Sequence, residues 1–381
     1  MNTFWLKIAG LAVVVLGLII LVAVFLPSKP QPVEQPENER QVQKVGDTKL
    51  PSQAKPEPPE ATHADVKIVE LTLHPSKAPE PAQMYLLLPK ADEQTDADAV
   101  PLYEKAVQSL PKDPQIEERI RTWLKTPFDK LPRQQVQSTL QQLKTTLQLV
   151  KQAARCKQRN WPPFKPQTLP ENLSEYRKIA FALAIQARLQ IAQGQYDQAV
   201  GTIQTGCAMA RHMGEAPNLT QGLVGVSIGA LMCRELEQFI QPPDSPNLYQ
   251  ALSALPKPPV DLTKTIELEI ENLKQYNFLV RKQFEKILKP AHDRVRLIMN
   301  RLNRHVTALQ CLEALRLYAG AHDGKFPNEL SSVTEVTIPD DPITQQPFVY
   351  SRTGYKAVLE GPPPKGEGAK EAISYELNLK E

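Results

Sequence analysis

AFALAIQARLQIAQGQYDQAVGTIQTGCAMAR, residues 180–211, decides the fold. On both sides of Gly194 the apolar residues recur every three to four positions, the period of a helix with one buried face. One helix ends at Gly194. Gln195-Tyr196-Asp197-Gln198-Ala199-Val200 then opens a second. The stretch predicts a helical hairpin, with Ala187 and Ala199 as small residues near its turn.

The same periodicity extends outward, from Ala99 to about Ala321. Pro101 fits the first turn of a helix carrying Leu102, Tyr103, Ala106, Val107 and Leu110. Pro114 opens another with Ile116, Ile120, Trp123 and Leu124. Gln134 to Arg159 reads as one stripe through Val136, Leu140, Leu143, Leu147 and Val150. Trp161-Pro162-Pro163-Phe164 reads as a rigid packing loop. Asn218 to Gln241 is a further helix in which Gly222, Gly225 and Gly229 form a smooth face. Gly225-x-x-x-Gly229 has the spacing of a membrane dimer motif. Its uncharged core of about 12 residues before Arg234 is too short to span a bilayer, so close packing on a neighbouring helix is expected. A short helix over Asn247–Leu255 and a long helical run over Leu262–Ala321, kinked or split at Pro290, complete the body.

Gly194-x-Tyr196-x-x-Ala199 resembles the middle of a tetratricopeptide repeat. The resemblance implies that Tyr196 packs across the hairpin and that Ala199 lets the helices approach. It covers about one unit, and a solenoid needs stacked units, so it implies a hairpin rather than a repeat array.

Toward the N-terminus, Ile8 to Leu26 is a run of 19 residues without charge, Pro, Asn or Gln. As a helix it would reach about 28 Å, close to one hydrocarbon thickness. Trp5 and Lys7 flank it on one side and Pro27-Ser28-Lys29-Pro30 on the other. The run exceeds a signal-peptide core, and Val24-Phe25-Leu26 is a poor cleavage site. A single-pass anchor in a bacterial cytoplasmic membrane is expected, with residues 1–7 inside and the C-terminal domain outside. Residues 27–64 are rich in Pro, Glu, Gln and Lys and read as a disordered linker. Asp65–Leu73 and Gln83–Leu88 read as short strands, both candidate partners for strands at the C-terminus.

After Gly324-Lys325-Phe326-Pro327 the pattern changes to loop and short strands at Phe348–Ser351, Tyr355–Leu359 and Ile373–Leu379. Three motifs precede or enter it: Leu315-Arg316-Leu317-Tyr318, Gly324-Lys325-Phe326-Pro327-x-x-Leu330 and Asp341-Pro342-Ile343-Thr344-x-x-Pro347-Phe348-x-Tyr350. Together they resemble the C-terminal half of type II secretion major pseudopilins, which implies a helix feeding a small antiparallel sheet. The Gly-Phe-Thr-Leu-x-Glu processing site of pilins is not found, and Gly366-Glu367-Gly368 has no Asp where that family binds calcium. Neither pilin polymerisation nor a metal site is therefore implied. Ala208–Glu215, Gly222–Gly225 and Pro246–Tyr249 resemble segments of membrane-anchored helical proteins of planctomycete type; that likeness implies a fold and no activity.

The expected architecture is mainly α: anchor 8–26, linker 27–64, a helical bundle or hairpin domain over 65–320 and a small α+β module over 321–381. A net charge of +3 in 381 residues, with basic and acidic residues interspersed, argues against nucleic acid. Cys156, Cys207, Cys233 and Cys311 form no CxxC and read as small core residues. No P-loop, GxSxG or HExxH occurs. Glu267 and Glu271 share a helix face, with Glu269 to one side, and read as a solvated face. Cys207 and His212 are not placed to form a dyad. His212 beside Arg211 at a helix C-terminus reads as favourable dipole electrostatics. His292-Asp293 invites a local hydrogen bond, and His305 and His322 show no partner in the sequence. No catalytic, cofactor or metal residue is assigned. The expected function is an envelope scaffold or interaction protein with a protein partner. The alternatives are an accessory component of a secretion or pilus-like apparatus, and a hydrolase using Glu267 and Glu271.

Overall fold

The computed structural model describes residues 66–78, 85–163, 172–275 and 278–380. The run 8–26, the linker 27–64, Asp65, Gln83 and Phe164 lie outside them. Among the described residues no helix is long and apolar enough to cross a membrane.

The described chain begins with strand β1 (Ile68–Leu73). Tyr85–Leu88 is not the strand its apolar run suggests. The Gln204 side-chain amide donates to the carbonyls of Leu86 (3.0 Å) and Leu88 (3.1 Å), so a helix side chain satisfies the backbone that a ladder would have used. Strand β2 (Thr95–Asp98) leads into helix α1 (Ala99–Gln108). Asp98 caps that helix by accepting from Val100 N at 3.1 Å. Helix α2 (Gln115–Trp123) follows Pro114, and Ile116, Ile120 and Trp123 are its buried face.

The stripe over 134–159 is two helices rather than one, α3 (Arg133–Gln142) and α4 (Lys144–Ala153), followed by strand β3 (Cys156–Gln158). The break is at Leu143 (φ −93°, ψ 4°). Leu143 is itself buried, and the turn there lets Val136 on α3 and Leu147 and Val150 on α4 all reach the core. Strand β3 pairs in parallel with β2.

Helices α5 (Leu173–Ala192), α6 (Tyr196–Gly214) and α7 (Leu219–Phe239) form the centre of the body and pack on one another. Gly194 closes α5 at φ +69°, and the hairpin read in the sequence is present. The Tyr196 ring packs edge-on against Phe239 of α7, 5.6 Å between centroids. Asn218 caps α7 by accepting from Thr220 N and Gln221 N. A Cβ on Gly225 would lie 2.5 Å from the Ala210 carbonyl of α6, so the glycine face sets how closely α6 and α7 approach.

Helices α8 (Tyr249–Ser253) and α9 (Thr263–Asn272) lead to α10 (Phe278–Ala321), which runs through Pro290 without splitting; the interruption falls instead between α9 and α10. Proline at 290 removes one intrahelical donor but does not end the helix. Strands β4 (Val349–Thr353), β5 (Lys356–Gly361) and β6 (Ile373–Leu379) form an antiparallel meander beyond it. The sheet order is β1-β6-β5-β4, with β1 parallel to β6. The first described strand is therefore part of the C-terminal sheet. The result is a mainly helical protein with a small sheet at one end of α10.

Candidate functional site

Two kinds of polar site stand out: charged residues locked inside the packing, and an open groove between helices. On α10, Val295, Met299, Leu302, Val306 and Leu309 recur at helical spacing on the buried face, and the next members of that stripe are Glu313 and Arg316. Both are fully buried and paired at 2.8 Å. Glu313 also accepts from Asn247 Nδ2 (2.7 Å) and Leu248 N (2.9 Å), while Arg316 donates to His74 O, Ser245 O and Ser245 Oγ. Burial raises the Glu313 carboxyl above its ordinary range, opposed by Arg316. The pair pins the chain after β1 and the loop before α8 to α10.

About three turns earlier, Arg304 meets Asp341 through two parallel bonds of 2.9 and 2.6 Å, and its remaining N–H groups reach the carbonyls of Gly361, Pro362 and Glu371. Asp341 also accepts from Ile343 N and Thr344 Oγ1, which folds the Asp341-Pro342-Ile343-Thr344 turn onto the helix. Within the body, Arg188 forks onto Glu235 (3.1 and 2.8 Å) and donates to Leu124 O. Burial raises Glu235, with Arg188 pulling the other way. Between body and sheet, Glu237 Oε1 accepts from Tyr375 Oη and pairs with His305 Nε2, both at 2.8 Å. Burial works to raise Glu237, but the His305 charge and the His305 and Tyr375 hydrogen bonds leave it below the ordinary carboxylate value.

The histidines depart from their sequence reading. His212 is buried rather than a cation at a helix end. Its Nδ1 is hydrogen-bonded to Tyr103 Oη at 2.9 Å, and burial, with Arg159 and Arg211 nearby, pushes its pKa down to about 3. The neutral ring cannot serve the helix dipole. Tyr103 stacks on Trp161, whose indole N–H donates to His212 O at 2.8 Å, so Trp161 does plug the packing. His292 bonds Glu269 (3.1 Å) and Asp293 bonds Arg296 (3.1 Å), not each other. His305 has Glu237, and His322 has Glu335 at 2.8 Å. Glu267 and Glu271 are exposed, and Glu271 pairs with Lys274 at 2.9 Å. All four cysteines are free thiols, and burial raises Cys207 to about 12. Among the described residues no group of three or more His, Cys, Asp or Glu could hold a metal ion.

The groove lies between α3–α4 on one side and α5–α6 on the other, with a cavity of about 660 Å³. Leu147 and Leu183 form its buried floor, glutamine side chains its walls, and Lys144 and Lys151 one rim. None of the buried ion pairs lines it. Its chemistry is therefore that of hydrogen-bond recognition with a weak positive bias.

Sequence reading missed Arg188–Glu235 and Arg304–Asp341 because their partners lie 47 and 37 residues apart, and Glu313–Arg316 because the groups that complete it, Leu248 N and Ser245 O, lie in another segment. The one available signal was positional: Glu313 and Arg316 fall on the apolar stripe of α10, and a charge there must find a partner. Compared with known proteins, the chain matches no family model, no curated protein and no solved structure.

Proposed function

We propose that this protein is a membrane-anchored scaffold or interaction protein of the bacterial envelope. Its folded part is held outside the cytoplasmic membrane by the run 8–26 and the linker 27–64, and engages a protein partner there. The observation that carries this reading is where the buried ionisable groups sit. Arg188–Glu235 and Arg304–Asp341 join separate segments of the fold, Glu313–Arg316 on α10 holds Leu248, His74 and Ser245 to that helix, and all three stay away from the groove wall. That is how a rigid presenting body is built; a catalytic cleft gathers perturbed groups at its surface. The test is a pull-down of the tagged full-length protein from mildly solubilised membranes, with mass spectrometry of what accompanies it. A stoichiometric envelope protein is the expected result; a clean preparation together with turnover of a defined substrate would overturn the reading. Fusing a reporter active only outside the cytoplasm to the C-terminus tests the orientation, and an inactive reporter on a stable fusion would refute it.

A second reading, an accessory component of a type II secretion or pilus-like apparatus, draws on the way α10 feeds the β4–β5–β6 meander. Recovery of secretion components in the same pull-down would favour it.

A further inference from the structure

We propose that the α3–α4/α5–α6 groove binds an extended, acidic peptide segment, and that Gly201 is the contact point on its floor. This deepens the interaction reading above and rests on it for the partner being a protein.

The first observation is a glycine without a structural reason. Gly201 lies inside α6, where glycine weakens a helix relative to alanine. At each of the other glycines of α6 and α7 a Cβ would press on a neighbour: Met232 at Gly206, Val260 at Gly214, Leu262 at Gly222, the α6 backbone at Gly225 and Leu302 at Gly229. At Gly201 a Cβ would meet no described atom within 4 Å. Gly201 lines the groove. Glycine is the residue of choice where a ligand must come close to backbone, and the bare α6 backbone is offered at this point.

The second observation is the wall chemistry. Gln137, Gln141, Gln148, Gln186, Gln190 and Gln198 come from four helices to one groove. A carboxamide both donates and accepts, as does every peptide unit of an extended chain. Thr202 Oγ1 donates to Gln190 Oε1 at 2.7 Å, which holds one of these carboxamides in place.

The third is charge. Lys144 and Lys151 are exposed on the rim, and the one carboxylate lining the groove among the described residues, Asp197, already accepts from Tyr85 Oη at 2.8 Å. The net field favours carboxylates on the ligand. Among the described residues no Trp, Tyr or Phe lines the groove, so they offer none of the flat ring faces that would favour a sugar.

The test uses the full-length protein in mild detergent and fluorescein-labelled octapeptides of alternating Ala-Glu, Ala-Gln and Ala-Lys, read by fluorescence anisotropy. Ala-Glu should bind tightest and Ala-Lys weakest, and the Ala-Glu affinity should fall with added salt. Gly201→Met should weaken Ala-Glu binding at least tenfold without lowering the unfolding midpoint, because the side chain enters open space. Lys144→Gln/Lys151→Gln should erase the preference for Ala-Glu over Ala-Gln. No binding of any peptide, binding indifferent to Gly201→Met, or equal displacement by chitotetraose would each overturn the proposal. If the envelope partner is retained by Gly201→Met, the groove assignment fails and the interaction reading stands. If the wild type binds Ala-Glu yet recovers no envelope partner, the groove stands and the scaffold reading fails.

Discussion

Arg304 uses all its donor groups, two on Asp341 and three on backbone carbonyls of the loops around the sheet. A guanidinium so buried is stable only because nothing on it is left unpaired. Arg304→Met removes the cation and strands the Asp341 carboxylate, which is fully buried. The expected loss is about 3–5 kcal/mol in urea unfolding. Arg304→Met/Asp341→Asn should recover part of it, since no charge then stays buried while Ile343 N keeps its acceptor. His212 has the opposite chemistry. Its folded pKa of about 3 lies below the ordinary 6.5, so in that window the unfolded chain binds a proton that the folded one refuses. The stabilisation is complete above pH 6.5 and is lost as pH falls toward 3. The slope attributable to this group approaches about 1.4 kcal/mol per pH unit. Unfolding free energies of wild type and His212→Gln between pH 6.5 and 5 should differ in slope, with the variant flatter.

Among elements, the contact between α6 and α7 leaves little room for a side chain at its glycines. At Gly225 an added methyl meets the Ala210 carbonyl and the Gly214 amide, which are backbone. At Gly229 it meets the tip of the Leu302 side chain, which can rotate away. Gly225→Ala should therefore cost about 1–3 kcal/mol, the usual range for overpacking. Gly229→Ala should cost clearly less, measured by the shift in denaturation midpoint. The α5–α6 hairpin and the glycine face were legible in the sequence because both rest on local rules: a helix stop, a period, a run of small residues. The Leu143 break was not, since an unbroken stripe and a turned pair of short helices share one pattern; only the packing against other helices, α5 on α3 and α1 on α4, chooses between them. Tyr85–Leu88 misled for a related reason, its backbone partner being a glutamine over a hundred residues away. The groove was illegible altogether. Its glutamines are scattered over four helices and look like ordinary surface residues until the helices are packed.

At the scale of the whole molecule, body and sheet are bound through charged and polar side chains, Tyr375 and His305 on Glu237 and Arg304 on the β5–β6 loops. Such links make separate unfolding of the sheet costly, so the described part should unfold in one transition. Amide exchange followed by mass spectrometry is expected to show α7, the second half of α10 and β6 with matching protection. Tyr375→Phe with His305→Gln should release β6 first, and independent exchange of sheet and body in the wild type would contradict this.

The pairing of β1 with β6 has a mechanical consequence. The strands are parallel, with Ile68 opposite Ser374 and Leu73 opposite Leu379. Tension applied between Lys67 and Lys380 therefore pulls the two strands past each other along their length. It loads the whole ladder at once instead of peeling it rung by rung. A pull along that line is resisted in shear, the stiffer of the two geometries. Strand β1 thus acts as a clasp whose strength is directed along the line from Lys67 to Lys380.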